Sequence, residues 1–350
     1  MPIVPINNET IEQAAAAISR GALVAFPTET VYGLGGDAFN PPALAKIFEV
    51  KGRPRFDPLI VHIALIETLE KVADLSLLKT QTRKKLAALI EKFWPGPLTL
   101  ILPKQPAIPD LATSGLPNVA VRLPAHDTAR GLISLSTGAV AAPSANPFGY
   151  LSPTRAEHVA AMLGEKVDII LDGGSTQFGL ESTVLDMSAA QPRILRPGSV
   201  PKEHIEELIG HVAFGLVPSE SAVSPGLLKS HYAPHIPLMT HDIESLQHEI
   251  EIDTEIRSNA AFLFFDGASR DVWLNTLMPI DRKSAIIAVL SEEGNIYEAA
   301  ARLFETLHEL DRQNVKKIHA QLAPEKGLGI AINDRLRRAA EKCMESPLIN

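Results

Sequence analysis

The sequence has little cysteine and few aromatic residues. Cys343 is the only cysteine in 350 residues, which excludes an internal disulfide and a zinc site built from cysteines. Aromatic residues make up 5% of the chain and hydrophobic residues 45%, a balance typical of an aliphatic α/β interior. The first residues lack a basic stretch followed by an apolar core, so no signal peptide is predicted. We therefore expect a protein of a reducing compartment, the cytoplasm.

Long hydrophobic runs and an excess of positive charge are absent as well. No apolar run approaches the roughly 18 residues that a membrane-spanning helix needs, so we predict no membrane association. The net charge is −8 and the isoelectric point about 5.8, so the bulk charge of the protein repels nucleic acid. Any contact with RNA or with a nucleotide would have to use a local basic patch.

One such patch lies at residues 51–62, which read KGRPRFDPLIVH. Lys51, Arg53 and Arg55 place three cations close together, and Pro54 disfavours a helix through them. An apolar, strand-prone run follows. The pattern predicts a basic loop that leads into a strand and suits a polyphosphate or a carboxylate. By itself it fits a solvated surface loop equally well.

The hydrophobic pattern alternates between short apolar strands and amphipathic helices along most of the chain. The length suits about two domains, each with a core of its own. A stretch rich in proline and serine interrupts the alternation and is too long for an ordinary connection. We predict a catalytic domain at residues 1–210, a linker or lid at 211–238, and a smaller three-layer α/β domain with a largely parallel sheet at 239–350.

The individual elements follow from the same pattern. Strands are predicted at residues 22–26, 59–63, 98–102, 119–123, 139–142, 168–171, 183–187, 193–196, 260–265, 285–291 and 315–320. Helices are predicted at residues 10–20, 41–50, 81–93, 127–136, 154–163, 201–209, 296–313 and 330–343. Residues 28–36, TETVYGLGG, are predicted to form a loop rich in hydroxyl groups and glycine. Thr154 and Glu157 are predicted to form a capping box.

Polar residues within apolar runs are candidates for a site. Arg122 lies near the end of the apolar run 119–123, where a cation is costly unless it meets an anion or reaches outward to solvent. His62 lies in another apolar run and by itself suits a core position as well as a site. His231 and His235 stand four residues apart, but nearby prolines argue against the helix that would align them on a metal. No metal site is predicted.

Seven segments together resemble the YrdC-type L-threonylcarbamoyladenylate synthases in their long, two-domain (Sua-type) form. They are PTETVYGL (27–34), KGRPRFDPLIVHI (51–63), VAVRLP (119–124), APSAN (142–146), ESTVLD (181–186), ILRPG (194–198) and SPGLLKSHYAP (224–234). The resemblance implies a twisted, mixed sheet with helices around a concave basic cavity. It also implies a smaller C-terminal, Rossmann-like α/β domain, which matches only in position and pattern.

The resemblance further implies a reaction. L-Threonine, bicarbonate and ATP, with Mg²⁺, would give threonylcarbamoyl-AMP and pyrophosphate. That product would feed the N6-threonylcarbamoylation of adenosine 37 in tRNA by a downstream transferase complex, and a direct contact with tRNA is possible.

Site residues are implied by position in the matching segments. Lys51 and Arg53 would be the catalytic pair that neutralises phosphate charge. ATP contacts are implied for Arg53, Asp57, Asn118, Ser144, Ser152, Arg196 and Tyr232. Threonine contacts are implied for Thr30, His62, Arg122, Ser182 and the backbone carbonyl of Ala142.

Two positions depart from the family pattern. Asp57 stands where a neutral polar ATP contact is usual, and a carboxylate repels phosphate unless a metal or a cation intervenes. Leu228 stands where the linker commonly has lysine, with Lys229 adjacent to it. The main alternative function is a double-stranded RNA-binding module without catalysis, which the net charge disfavours. A related hydrogenase-maturation enzyme would need zinc-finger cysteines and an acylphosphatase-like segment, which are absent.

Overall fold

The computed structural model describes residues 3–189, 191–215, 231–242, 244–246, 259–276 and 286–345. The chain divides into two compact units. The first comprises Met1–Phe148 and Ser152–Leu228, and the second comprises Gly149–Leu151 and Lys229–Asn350. The first unit contains an 11-stranded sheet and the second a four-stranded sheet. Most of the predicted linker, residues 216–230 with Leu228 and Lys229, lies outside the described residues.

The first unit alternates strands and helices. Its strands are β1 (Ile3–Pro5), β2 (Val24–Phe26), β3 (Gly33–Asp37), β4 (Ile60–Ile63), β5 (Leu98–Pro103), β6 (Asn118–Arg122), β7 (Ala139–Ala141), β8 (Ile169–Asp172), β9 (Thr183–Asp186), β10 (Arg193–Arg196) and β11 (Ala213–Phe214). Its helices are α1 (Asn8–Ser19), α2 (Pro41–Lys51), α3 (Leu69–Val72), α4 (Thr80–Phe93), α5 (Asp110–Thr113), α6 (Asp127–Leu135), α7 (Ala156–Leu163) and α8 (Lys202–Ile209).

The large sheet is mixed. Its strand order is β1-β8-β2-β3-β7-β4-β6-β5-β9-β10-β11. The pairs β1–β8, β2–β8, β4–β6, β5–β9 and β10–β11 are parallel, and the other five neighbouring pairs are antiparallel. One apolar core packs under residues of α2, α4 and α8, and a second under α1 and α6. The expected mixed sheet with surrounding helices is confirmed.

Strand β3 corrects the prediction of a loop through residues 28–36. Gly33–Asp37 pairs with β2 on one side and with β7 on the other. A Cβ at Gly35 would lie 2.6 Å from Cε1 of Phe26 and 2.9 Å from Cγ1 of Val140. Glycine is therefore required here by the close packing of neighbouring strands, and its low strand propensity hid the strand from the sequence pattern.

Helix caps follow the sequence at α2 and depart from it at α7. Asn40, directly before the predicted helix 41–50, caps α2 by accepting a hydrogen bond from the backbone N–H of Ala43. The predicted capping box of Thr154 and Glu157 is wrong, because α7 begins at Ala156 after Arg155 and has no side-chain cap. The Thr154 hydroxyl instead lies 3.4 Å from Nδ1 of His158, so its hydrogen-bond partner is the side chain of His158, one turn into the helix.

The end of α2 determines where the basic segment lies. Lys51 is the last residue of the helix, and Gly52 ends it in the left-handed conformation at φ 61°. Arg53 follows in the connection to β4, and its backbone N–H donates to Phe48 O at 2.9 Å. Lys51 therefore projects from a helix, whereas the sequence pattern placed it on the extended loop.

The second unit is a small parallel α/β fold, as predicted. Its elements are β12 (Leu238–His241), β13 (Ala260–Asp266), α9 (Gly267–Thr276), β14 (Ile286–Ser291), α10 (Ile296–Leu310), β15 (Lys317–Gln321) and α11 (Leu328–Glu345). The sheet order is β12-β15-β13-β14, with every pair parallel. Within the described ranges of the whole chain, no helix is both long enough and apolar enough to cross a membrane.

The segment Gly149–Leu151 belongs to the second unit although the surrounding sequence belongs to the first. The Tyr150 hydroxyl donates to Oδ2 of Asp311, and the backbone N–H of Ala233 donates to Gly149 O at 2.9 Å. Asp311 also pairs with Nδ1 of His235 at 2.9 Å. These contacts hold the short segment in place within the second unit.

Candidate active site

On one face of the large sheet, polar side chains lie beside an apolar cluster of strand residues. An apolar cluster on this face consists only of strand residues, namely Ile60, Ile101, Ala120, Val184 and Leu195. Because residues two apart in a strand point to the same side, His62, Arg122 and Ser182 share that side. We call this surface the strand face. His62 and Arg122 are direct register partners in the parallel pair of β4 and β6.

Arg122 is buried and has three partners on two segments of the chain. Its Nη2 lies 2.6 Å from Oε1 of Glu29, and each side chain is only 4% exposed. Its Nη1 donates to Oγ1 of Thr30 at 2.9 Å, and its Nε donates to Gly96 O at 3.2 Å. Of the two alternatives for a cation in this apolar run, an anionic partner or a side chain that reaches solvent, the structure shows the first.

His62 is a neutral imidazole in this setting. Burial, and then the positive charge of Arg122, lower the pKa of His62 from its ordinary 6.5 to about 3. Its Nδ1 lies 3.2 Å from Ile60 O, a contact that opposes the shift. At neutral pH the ring can therefore exchange hydrogen bonds with a ligand without contributing a charge.

Ser182 connects the strand face to a second buried arginine. Its hydroxyl lies 2.7 Å from the hydroxyl of Thr99. Arg196 donates from Nη2 to the backbone oxygen of Ser182 at 2.9 Å and to its hydroxyl at 3.1 Å. The two predicted residues are thus in direct contact, and the arginine fixes the hydroxyl in position.

Arg53 and Asp57 form a buried ion pair. Nη2 of Arg53 lies 2.9 Å from Oδ1 of Asp57 and 2.8 Å from Pro58 O, and Nε donates to Asp57 O at 3.0 Å. The carboxylate that departs from the family pattern is therefore matched by a cation of this chain. The ion pair balances the charge of the Asp57 carboxylate and holds the Arg53 guanidinium in one orientation.

Lys51 lies against two backbone carbonyl groups. Its Nζ donates to Ser144 O at 2.6 Å and to Asn146 O. Burial, and then the neighbouring charge of Arg53, lower the pKa of Lys51 well below its usual value. The two hydrogen bonds fix the Lys51 amino group beside Ser144, another residue of the predicted ATP site.

The remaining predicted residues lie in several places. Ser152 is buried and donates from its hydroxyl to Oε1 of Glu181 at 2.5 Å. Asn118 donates from Nδ2 to the hydroxyl of Ser188 at 3.1 Å. The backbone N–H of Ala142 donates to Ile60 O at 2.9 Å.

Tyr232 belongs to the second unit. Its ring lies 5.0 Å from Cζ of Arg335 in a cation–π contact, and its centroid is 5.7 Å from that of Phe304. Its backbone adopts φ 63°, a left-handed conformation that is unusual for tyrosine. Its predicted contact with ATP stays a prediction.

Three polar residues of the site were absent from the predicted set. Glu29, Asn146 and Glu181 are buried and contact Arg122, Lys51 and Ser152 respectively. Each lies within a segment that carries the family resemblance. The signal available in the sequence was an acidic or amide residue within such a segment, one or two positions from a residue that had been selected.

The lowered pKa of His62 predicts a pH dependence of stability. The unfolded chain takes up a proton near pH 6.5, whereas the folded state resists protonation down to about pH 3. Stability therefore falls as the pH drops through that window. Between pH 7.5 and pH 5 the loss due to His62 is expected to be about 2 kcal/mol. Urea unfolding at both pH values should show a smaller loss for His62→Gln, and equal losses would contradict the assignment.

Two family models together match most of the chain. The Sua5/YciO/YrdC model, described as "Telomere recombination", matches residues 16–198. The model for the C-terminal domain of threonylcarbamoyl-AMP synthase matches residues 200–341.

Curated proteins and a solved structure are similar over nearly the whole length. Threonylcarbamoyl-AMP synthase of Pyrococcus abyssi is 41% identical, over 97% of this chain and 98% of that protein. The Bacillus subtilis protein of the same name is 42% identical, over 95% and 94%. The crystal structure of Pyrococcus abyssi Sua5 complexed with L-threonine superposes with a TM-score of 0.84 at 38% identity, covering 97% of this chain and 98% of that one. This chain therefore belongs to the Sua5/YciO/YrdC family, in its long form with the C-terminal domain of the threonylcarbamoyl-AMP synthases.

Proposed function

We propose that the chain is a nucleotidyltransferase that makes threonylcarbamoyl-AMP and pyrophosphate from L-threonine, bicarbonate and ATP. Family membership supports the reaction. The observation that carries it to this chain is the strand face, where buried Arg122, neutral His62 and the Ser182 hydroxyl lie together. These groups suit an amino acid that carries a hydroxyl group, and the basic segment with Lys51 and Arg53 suits a polyphosphate.

Threonine would use the strand face. Arg122 would donate to the α-carboxylate, since it retains N–H groups beyond those given to Thr30 and Gly96. His62, Thr30 and Ser182 would exchange hydrogen bonds with the hydroxyl and the amine, and Ala142 would offer its backbone carbonyl. The side chains would bind threonine in the arrangement that they already have without it. Binding would therefore cost little side-chain conformational entropy.

ATP would use the basic residues of the first unit. Lys51 and Arg53 would neutralise the phosphates, and Asp57 would act through Arg53 by holding it in place. Asn118, Ser144, Ser152 and Arg196 would make the further contacts, and Tyr232 is proposed as a contact from the linker segment.

The chemistry requires positioning more than covalent participation. Zwitterionic threonine and bicarbonate form a carbamate, water and one proton, which passes to solvent. A carbamate oxygen then forms a bond to the α-phosphorus while the bond to pyrophosphate breaks. Rate enhancement would come from alignment of the two reactants and from neutralisation of the departing pyrophosphate. Lys51 and Arg53 would provide that neutralisation.

Mg²⁺ is proposed as part of the nucleotide substrate. Among the described residues no three histidine, cysteine, aspartate or glutamate side chains come together in a way that could hold a metal ion. Mg²⁺ commonly uses phosphate oxygens and water with few protein ligands. The chain would therefore take up MgATP rather than hold a resident metal.

The reaction makes a direct test possible. Release of pyrophosphate is expected to require ATP, threonine and bicarbonate together, because without threonine no nucleophile is present. Serine lacks one methyl group, a difference worth about 1–3 kcal/mol, so it should be a poor substrate rather than an inert one. Pyrophosphate detection combined with mass spectrometry of the adenylate checks both points. Release of ADP and phosphate would mean attack at the γ-phosphorus and would contradict the proposed reaction.

The wider roles are proposals of the same kind. The product would pass to a tRNA-modifying threonylcarbamoyl transferase complex in the cytoplasm, with a possible contact to tRNA. We propose a division into a catalytic domain at 1–210, a linker at 211–238 and a C-terminal domain at 239–350. The two compact units and the two family models support the presence of two domains.

A further inference from the structure

The Glu29 carboxylate is a buried anion that none of the roles above uses. It is 2.6 Å from Nη2 of Arg122, so the charges balance. The ion pair lacks directed hydrogen bonds, however. Within the described ranges, neither carboxylate oxygen of Glu29 accepts a hydrogen bond, and Nη2 of Arg122 donates none. Buried charged groups are costly without directed hydrogen bonds. The Glu29 carboxylate can therefore accept hydrogen bonds from a ligand, and Nη2 of Arg122 can donate to one.

The charges around this pair define the class of ligand. A free α-amino acid carries a carboxylate and an ammonium group on one carbon atom. Arg122 can donate to the carboxylate, and Glu29 can accept from the ammonium. The other groups that contact Arg122 are the neutral hydroxyl of Thr30 and the carbonyl of Gly96, and its register partner His62 is neutral as well. The site is complementary to a zwitterion rather than to a simple carboxylate.

We propose that Glu29 binds the α-ammonium group of threonine, in addition to acting as the counter-ion of Arg122. This proposal rests on the proposed function, which makes threonine the amino acid. Oε1 would remain beside Arg122, and Oε2 would accept from the ammonium nitrogen. After the ammonium releases one proton to solvent, the same nitrogen is the amine nucleophile that reacts with bicarbonate and becomes the carbamate nitrogen, so its fixation would also position the nucleophile.

A purely positional role for Glu29 predicts a different outcome. If Glu29 only orients Arg122, its replacement should weaken every ligand that uses the Arg122 carboxylate contact. If Glu29 contacts the ammonium, the loss should be confined to ligands that carry one. The two cases are separated by 3-hydroxybutyrate, which is threonine without its amino group.

The experiment measures the Kd of both ligands by calorimetry for the wild type, Glu29→Gln and Glu29→Asp. Glu29→Gln should raise the Kd of threonine by about 10- to 100-fold and that of 3-hydroxybutyrate by no more than about twofold. Glu29→Asp keeps the charge and should give an intermediate loss for threonine. Glu67→Gln, at an exposed position of the same unit, is the matched control and should change neither Kd.

Equal losses for both ligands, or an unchanged Kd for threonine in Glu29→Gln, would overturn the ammonium contact. Thermal unfolding reports whether each variant is folded, and Glu29→Asp carries the test if Glu29→Gln does not fold. The binding measurements need no turnover. Failure of the wild type to release pyrophosphate would therefore count against the proposed function and leave the result on Glu29 intact.

Discussion

Replacement of Arg122 by alanine is expected to weaken threonine binding by about 2–4 kcal/mol, or roughly 30- to 1,000-fold in Kd. The threonine carboxylate would lose its cation in a desolvated site. The variant should also lose stability, because Glu29 would become a buried anion without its 2.6 Å partner. Removal of one member of a buried pair typically costs about 3–5 kcal/mol. Calorimetry with threonine and urea unfolding measure the two effects separately.

A double variant separates binding from folding. Arg122→Ala combined with Glu29→Gln removes both charges, so the stability should largely recover while threonine binding remains weak. Arg130→Ala removes an arginine of α6 whose partner Asp127 is exposed, and it should change neither quantity. A folded Arg122→Ala variant with the threonine affinity of the wild type would show that the carboxylate binds elsewhere.

Replacement of Arg53 by alanine is expected to lower kcat/KM for ATP by about 100- to 1,000-fold, the usual cost of removing a preorganised charge-stabilising group. Arg53→Lys keeps the charge but cannot reproduce the contacts of Nε and Nη2 with Asp57 and Pro58. It should therefore recover at most about tenfold of the loss. Initial rates of pyrophosphate release at varied ATP concentration provide the measurement.

Arg55 is the natural control for this prediction. It belongs to the same basic segment, two residues beyond Arg53, but it is exposed. Arg55→Ala should change kcat/KM for ATP by less than about threefold, since exposed charges are screened by solvent and salt. Similar losses in Arg53→Ala and Arg55→Ala would mean that the segment acts through its diffuse charge, and the specific role of Arg53 would be wrong.

Local apolar patterns predicted most of the sheet. The strand at 193–196 was predicted with its observed bounds, and those at 98–102 and 119–123 to within one residue. At 98–102 and 119–123 a short, largely apolar run lies between turn residues, and at 193–196 two apolar residues lie between arginines, so burial and local propensity agree. Strand β3 was missed because three of its five residues are glycine, and the short edge strand β1 was missed because it is too brief to show a period.

The site was less accessible to sequence reasoning than the fold. Arg122 was recognised because a cation in an apolar strand needs a partner. Glu29 was not identified as that partner, because it lies 93 positions earlier in a segment whose hydroxyl groups suggested a loop. The pair exists only because β6 and the segment before β3 meet in the folded sheet. Contacts across such distances depend on topology, which single-residue patterns do not encode.

The membership of Gly149–Leu151 in the second unit affects how the protein can be divided for experiments. No single cut yields that unit whole, because it is completed by three residues from the middle of the chain. A fragment that starts at residue 229 would leave Asp311 without the Tyr150 hydroxyl, and a fragment that ends at 228 would carry Tyr150 without its acceptor. Loss of activity on such a cut would therefore report a broken packing contact as well as a missing domain. Co-expression of the two fragments, which can restore the contact by complementation, is the proper comparison.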